Sequence, residues 1–105
     1  MTTATVKTDG WHHSIVCEGH SADTACCNYI TGVMYAFGGY VKTMETSNKC
    51  AAVVDELEVD EQKPSFRIRC SGDKRIEAAF LAAYIGLKQL EATRPDAISV
   101  EAEGI

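Results

Sequence analysis

The sequence predicts an α+β fold in which two helices pack on one face of a mixed β-sheet. Three observations predict it: five stretches typical of strands, two longer stretches with apolar residues at helical spacing, and turn-forming residues between them. The predicted order is ββαββαβ. Because each helix must bury its apolar stripe, one sheet with both helices on a single face accommodates them through short connections. We therefore predict a two-layer sandwich that forms one domain, residues 1–105.

The first two strands are predicted to form a hairpin. β-branched residues mark a strand at residues 2–8, and Asp9-Gly10 supplies the pair that a tight hairpin turn prefers. The second strand is predicted at residues 11–18. Alternation places four of its residues on the face that looks inward, and they are Trp11, His13, Ile15 and Cys17.

The first helix is predicted at residues 23–41, and Asp23 or Thr24 can cap its N-terminus. Its apolar residues recur at helical spacing, and they are Ile30, Val33, Met34, Phe37 and Val41. Because glycine is a poor helix former, Gly38 and Gly39 predict that the last turn frays or ends early.

Two further strands follow this helix. The third is predicted at residues 50–59 and ends in a polar turn at residues 60–64. In the fourth, apolar residues alternate with Arg67 and Arg69, which is typical of a half-exposed strand. The acidic run at residues 55–61 is predicted to be a solvated edge or loop, where like charges discourage aggregation.

A second helix is predicted after Asp73, and Arg94-Pro95-Asp96 is predicted to end it. Its apolar residues form a single stripe, which consists of Ile76, Phe80, Ala83, Leu87 and Leu90. Alternating apolar residues then predict a short closing strand at residues 97–102.

Composition and charge exclude several classes of protein. The chain has 105 residues, of which 46% are apolar, and this is enough for one compact core. Its net charge is −5 and its ten Lys and Arg residues are scattered, so no nucleic-acid partner is expected. The N-terminus lacks an export signal, and no apolar run is long enough to enter a membrane. We therefore predict a cytoplasmic protein whose five cysteines are reduced.

The candidate chemical centre lies where the second strand leads into the first helix. Cys26 and Cys27 fall in the first helical turn, where unpaired backbone N–H groups and the helix dipole favour a thiolate. The same N–H groups can stabilise an oxyanion during acyl transfer. His20 precedes Cys27 by seven residues, so a short loop can fold its imidazole over the helix start, as a Cys-His pair requires.

Neither a metal site nor another cofactor is predicted. Imidazole and thiolate bind zinc, but adjacent strand residues point to opposite faces, so His12 and His13 cannot easily converge on one ion. Cys17, Cys50 and Cys70 lie in predicted strands and are interpreted as small core residues.

These residues resemble the motif of the ribosomal-processing cysteine protease Prp family. Gly19-His20-Ser21, followed by Cys27 and then Ile30-Thr31-Gly, is similar to the family's Gly-His pair, loop and helix-opening Cys. The likeness continues through Phe66-Arg-Ile-Arg and the apolar second helix to Ile98-Ser-Val. It therefore covers nearly the whole chain.

The resemblance implies a two-layer α/β sandwich, usually a homodimer, with cysteine endopeptidase activity. It implies Cys27 as the nucleophile and His20 as the general base, with Gly19 and Thr31 as supporting residues. When Asp23-Thr-Ala-Cys26 is matched to the family's Asp-Ile-Val-Cys segment, Cys26 is the nucleophile instead. We prefer Cys27 because only that register puts Thr31 one helical turn beyond the thiol.

We therefore predict a cysteine endopeptidase that binds an extended, partly apolar peptide. By resemblance, its substrate is the N-terminal extension of a ribosomal protein or a phage capsid or scaffold protein. The loop between His20 and Cys27 is several residues shorter than the family usually has. The alternative is therefore a non-catalytic binding or structural subunit of the same fold.

Overall fold

The computed structural model describes residues 1–48, 51–60 and 65–105. The described residues form five strands and two helices in the predicted order. The elements are β1 (Thr2–Thr8), β2 (His12–Glu18), α1 (Thr24–Ser47), β3 (Ala52–Asp60), β4 (Ser65–Gly72), α2 (Lys74–Thr93) and β5 (Ile98–Glu103). Cys50 and the predicted turn after residue 60 lie outside the described residues.

The strands form one mixed sheet, as predicted, and their order in the sheet is β3-β4-β2-β1-β5. The pairs β1–β2, β2–β4 and β3–β4 are antiparallel, and β1–β5 is parallel. In the β1–β2 turn, Oδ1 of Asp9 accepts hydrogen bonds from the backbone N–H groups of Trp11 and His12 at 2.9 and 2.7 Å. β2 therefore begins at His12. Trp11 belongs to the turn, and its side chain is 48% exposed, so the prediction that Trp11 faces inward was wrong.

Both helices lie on one face of the sheet and contact each other, which confirms the two-layer sandwich. α1 packs on β3 and β4, whereas α2 packs on β4 and β5. The core between the layers contains the whole predicted stripe of α2 and the inward residues of the sheet. The largest of its fully buried side chains include Phe80, Ile15, Met34, Ile68, Ile76 and Leu87. Neither helix combines the length and hydropathy that crossing a membrane requires.

Helix α1 is longer than predicted, because its two glycines do not end it. A Cβ atom at Gly38 would lie 2.9 Å from Cδ1 of Leu57 and 3.1 Å from Cδ1 of Ile68. The missing side chain therefore lets the helix approach the sheet closely, and this packing offsets the poor helix propensity of glycine. The helix continues to Ser47 and ends at Asn48, which has the left-handed conformation (φ 56°) typical of a helix end.

Two cysteines predicted as core residues are buried. Cys17 and Cys70 are each 1% exposed, and burial raises the pKa of both thiols to about 12. The thiols of Cys17 and Cys70 are therefore structural and remain protonated near neutral pH.

The described part of the acidic run, residues 55–60, lies on β3, which is an edge strand of the sheet, as predicted. Glu56 on this strand accepts a hydrogen bond from Nε of Arg69 at 3.1 Å.

Candidate active site

Asp23 defines the start of helix α1. Its backbone is extended (φ −155°), and its Oδ1 atom accepts a hydrogen bond from the N–H group of Cys26 at 2.8 Å. The N–H group of Cys27 donates to the carbonyl oxygen of Asp23 at 3.0 Å. Asp23, rather than Thr24, is therefore the N-cap. The two cysteines occupy the first helical turn, as the sequence predicted.

The two thiols lie in different environments. Cys26 is 4% exposed, and desolvation together with a hydrogen bond to the Asp23 carboxylate raises the pKa of its thiol. Cys27 is half-buried and lines a cavity. A thiol must ionise to act as a nucleophile, so the surroundings of Cys26 disfavour it in that role.

The cavity beside Cys27 is small, with a volume of about 40 Å³. It lies between β2, the start of β1, β4 and the first turns of α1. Its lining residues are Thr2, Cys17, Gly19, Cys27, Ile30, Thr31 and Phe66. The structure therefore brings three of the five predicted site residues to one cavity, namely Cys27, Thr31 and Gly19. His20 and Cys26 are not among the described residues that line it.

Gly19 connects β2 to the loop that carries His20. It adopts a positive φ of 95°, which favours glycine. A Cβ atom there would lie 2.8 Å from the carbonyl oxygen of Met1. The hydroxyl of Thr2 donates to the carbonyl oxygen of Gly19 at 3.0 Å. The chain therefore turns sharply against the start of β1, and a larger residue would displace His20.

His20 is exposed on the loop between β2 and α1. Among the described hydrogen bonds, none joins its imidazole to Cys27. The neighbouring Ser21 is attached to another part of the chain, because its hydroxyl donates to the carbonyl oxygen of Ala97 at 2.9 Å. In this conformation the hydrogen bond of a Cys-His pair is therefore not formed among the described residues.

The other two histidines lie on opposite faces of the sheet, as predicted. His12 is exposed, and its Nδ1 atom lies 2.9 Å from Oδ2 of Asp9. His13 is 2% exposed, and its ring stacks on Phe80 at a centroid distance of 4.7 Å. Within the described parts of the chain, no three potential metal ligands converge. The histidine pair therefore gives no support to a zinc site.

Sequence reasoning missed a charged cluster beside the helix start. Arg94, which was predicted only to help end α2, donates from Nη1 to Oδ2 of Asp23 at 3.0 Å. It also donates to both carboxylate oxygens of Asp96. Arg94 and Asp23 are 71 positions apart, and no local pattern links such residues. The short Arg94-Pro95-Asp96 segment was the only available signal.

Tyr29 lies two residues after Cys27 but is directed away from the cavity. Its hydroxyl donates to the carbonyl oxygen of Gly86 on α2 at 2.8 Å. The ring therefore bridges the two helices and does not fill the space beside the Cys27 thiol.

Solved structures with the same fold include Prp proteases. The chain matches a ribosomal processing protease Prp from S. aureus, in complex with a covalently linked product peptide, at 16% identity and a TM-score of 0.72. The match covers 97% of this chain and 99% of that chain. A second S. aureus Prp structure, in complex with a substrate peptide, has 18% identity and a TM-score of 0.61, with 97% and 99% coverage.

The protein SMU.848 from Streptococcus mutans also matches, at 17% identity and a TM-score of 0.65, over 98% of this chain and 97% of that one. No protein-family model matches the chain, and no curated protein matches it. The resemblance to Prp is therefore confirmed at the level of the fold over almost the entire chain.

Proposed function

We propose that the protein is a cysteine endopeptidase with Cys27 as its nucleophile and His20 as its general base. One observation carries the proposal. A half-buried thiol at the N-terminus of α1 shares a cavity with Thr31 and Gly19, in a fold that solved Prp proteases share. The helix N-terminus favours the thiolate form that attack on a carbonyl requires.

The proposed reaction has two steps. His20 accepts the thiol proton, and the Cys27 sulfur forms a bond to the scissile carbonyl carbon. The peptide C–N bond then breaks, and His20 returns the proton to the leaving amine. Water next attacks the thioester with His20 as base, which releases the carboxylate product and restores the thiol.

This reaction requires the His20 side chain to move towards Cys27. Its imidazole is exposed, and no hydrogen bond to another described residue holds it away. Catalytic hydrogen bonds are often long or absent without substrate. In this proposal, His20 turns towards Cys27 while Gly19 and Ser21 stay attached on either side.

The arrangement of amides limits where an oxyanion can bind. The N–H groups of Cys26 and Cys27 already donate to Asp23. The helix therefore offers the N–H groups of Thr24 and Ala25, which precede the first intrahelical bond. The sequence predicted that any amide of the first turn could stabilise the oxyanion, whereas in this proposal the amides of Thr24 and Ala25 do so.

Within this proposal, the substrate is an extended, partly apolar peptide. By resemblance to Prp it is the N-terminal extension of a ribosomal protein, or a segment of a phage capsid or scaffold protein, and the enzyme acts as a homodimer. The solved Prp structures contain a substrate peptide or a covalently linked product peptide, which supports a peptide ligand for this fold.

The rival function is a non-catalytic binding or structural subunit. The lack of a hydrogen bond between His20 and Cys27 among the described residues favours it, because a thiol without its base is a poor catalyst. The two functions differ in their dependence on the thiol. A binding subunit would retain peptide affinity after Cys27→Ala and would never cleave the peptide.

The test is a mass-spectrometric cleavage assay with the full chain. The substrates are peptides that span the N-terminal extension of a large-subunit ribosomal protein and the termini of phage capsid proteins. We expect cleavage of at least one set, complete loss of cleavage in Cys27→Ala and His20→Ala, and retained cleavage in Cys26→Ala. Loss of cleavage in Cys26→Ala alone would assign the nucleophile to Cys26. Binding without cleavage by the wild-type protein would favour the rival function.

A further inference from the structure

A cluster of three charged side chains joins the loop before α1 to the turn after α2. Nη1 of Arg94 donates to Oδ2 of Asp23 at 3.0 Å. Its Nε and Nη2 atoms donate to Oδ1 and Oδ2 of Asp96 at 3.1 and 3.0 Å. The three side chains are between 41% and 61% exposed. Exposed ion pairs contribute only about 0–1 kcal/mol to folding, so this cluster adds little to the stability of the protein.

The two carboxylate oxygens of Asp23 have separate partners. Oδ1 accepts the N–H group of Cys26 at 2.8 Å, while Oδ2 accepts Nη1 of Arg94. Two partners on opposite oxygens fix the rotation of the carboxylate, so Arg94 keeps Asp23 in its capping orientation. Arg94 also places a positive charge against the carboxylate nearest to the first-turn thiols.

Asp23 has opposing effects on this site. As the N-cap it stabilises the helix whose N-terminus favours a thiolate. As an anion beside Cys26 it disfavours a second negative charge in the first turn of the helix. A cation bound to Asp23 offsets the second effect and leaves the first intact.

We propose that Arg94 is a positioning residue of the candidate site, which acts through Asp23 to keep the helix start compatible with a thiolate at Cys27. This inference rests on the proposed role of Cys27. Among the described residues, the other charged or titratable groups around the helix start include Asp96, which Arg94 binds with two nitrogens, and the exposed His20. Two buried thiols are also close, namely Cys26 and Cys17, and Cys17 lines the same cavity as Cys27.

Hydrogen bonds to Ala97 hold the loop before α1 in place independently of Arg94. The hydroxyl of Ser21 donates to the carbonyl oxygen of Ala97, and the N–H group of Thr2 donates to the same oxygen at 3.0 Å. These bonds do not involve Arg94. The loop therefore stays attached to the turn when Arg94 is replaced, and the main change is that the charges of Asp23 and Asp96 are no longer compensated.

The experiment measures alkylation of Cys27 by iodoacetamide as a function of pH, quantified by peptide mass spectrometry on the full chain. The variants are Arg94→Gln, Arg94→Lys, Asp23→Asn and the double variant. Arg69→Gln is the matched control, because Arg69 forms a similarly exposed pair with Glu56 on the sheet. Thermal unfolding of each variant is measured in parallel.

We expect Arg94→Gln to slow alkylation near neutral pH by roughly twofold to fivefold and to move the pH profile upward. Arg94→Lys should retain most of the rate, and Arg69→Gln should match the wild type. Asp23→Asn, which keeps a capping side chain, should speed alkylation. In the Asp23→Asn background, Arg94→Gln should have a smaller effect, because only the charge of Asp96 is then left without its partner.

Two results would overturn the inference. The first is an Arg94→Gln rate equal to that of Arg69→Gln. The second is an equal slowing by Arg94→Gln with and without Asp23→Asn, which would mean that Arg94 does not act through Asp23. Neither result depends on peptide cleavage, so the proposed protease activity and the role of Arg94 can fail separately. Arg94→Lys and the double variant keep the test decisive if Arg94→Gln unfolds more easily.

Discussion

The buried imidazole of His13 predicts that the protein loses stability in mildly acidic solution. Nδ1 of His13 lies 2.8 Å from the hydroxyl oxygen of Thr8, which also accepts the N–H group of Gly10. Nε2 is buried and has no hydrogen-bond partner among the described residues. In either neutral tautomer, a second proton therefore creates a charged ring with a buried N–H group that lacks an acceptor.

Burial lowers the pKa of His13 from its ordinary value of 6.5, and the nearby carboxylates of Glu77 and Asp9 oppose this shift only in part. Below pH 6.5 the unfolded chain binds a proton that the folded chain does not. The stabilising contribution of neutral His13 is therefore complete above that pH and is lost as the pH falls. The loss cannot exceed a limiting slope of about 1.4 kcal/mol per pH unit, and it stops once the pH is below the pKa of the folded state.

The assay is urea unfolding at several pH values between about 7.5 and 5.5, which lies above the range where carboxylates protonate. His13→Phe keeps a ring that can stack on Phe80 and removes the titrating group. We expect the wild type to lose unfolding free energy as the pH falls, by at most about 1.4 kcal/mol, and His13→Phe to lose much less. His12→Ala, which alters an exposed histidine, should behave like the wild type. An equal loss in His13→Phe and the wild type would refute the reasoning.

Three further substitutions test the packing. Gly38→Val should lower the free energy of unfolding, measured in urea, by about 1–3 kcal/mol, because the new side chain would collide with Leu57 and Ile68. An unchanged unfolding midpoint would show that α1 can move away from the sheet. Gly39→Ala, where a Cβ meets nothing within 4 Å, should instead add up to about 1 kcal/mol, and a loss of stability would contradict this. Phe80→Ala should cost about 3–5 kcal/mol, measured by calorimetry, and a cost below about 1 kcal/mol would mean that Phe80 does not anchor the core.

The elements with strong periodicity were predictable from the sequence. The five stripe residues of α2 are all buried, because a 20-residue helix on one sheet face needs one continuous apolar side. Alternation correctly placed His13, Ile15 and Cys17 towards the core. The end of α1 was not predictable, since helix propensity describes an isolated helix. The close approach of Gly38 to Leu57 and Ile68 exists only after the sheet has formed.

The candidate site was predictable in part. The helix start and the position of Cys27 and Thr31 follow from local spacing, because residues one turn apart lie on the same side of a helix. The orientation of His20 depends on how the loop leaves Gly19, which no periodic pattern describes. The pair between Asp23 and Arg94 joins distant segments, and it forms only because β5 lies parallel to β1 at the sheet edge.

The attachment of the loop to Ala97 and Arg94 has a consequence for the order of folding. Ser21 and Asp23 in this loop bind residues that lie more than 70 positions later in the chain. During synthesis, residues 19–23 emerge long before the turn that holds them, so they cannot adopt their final arrangement until β5 has docked beside β1. Nascent chains would therefore lack an assembled centre, and reactivity would arise only in molecules whose last strand is in place.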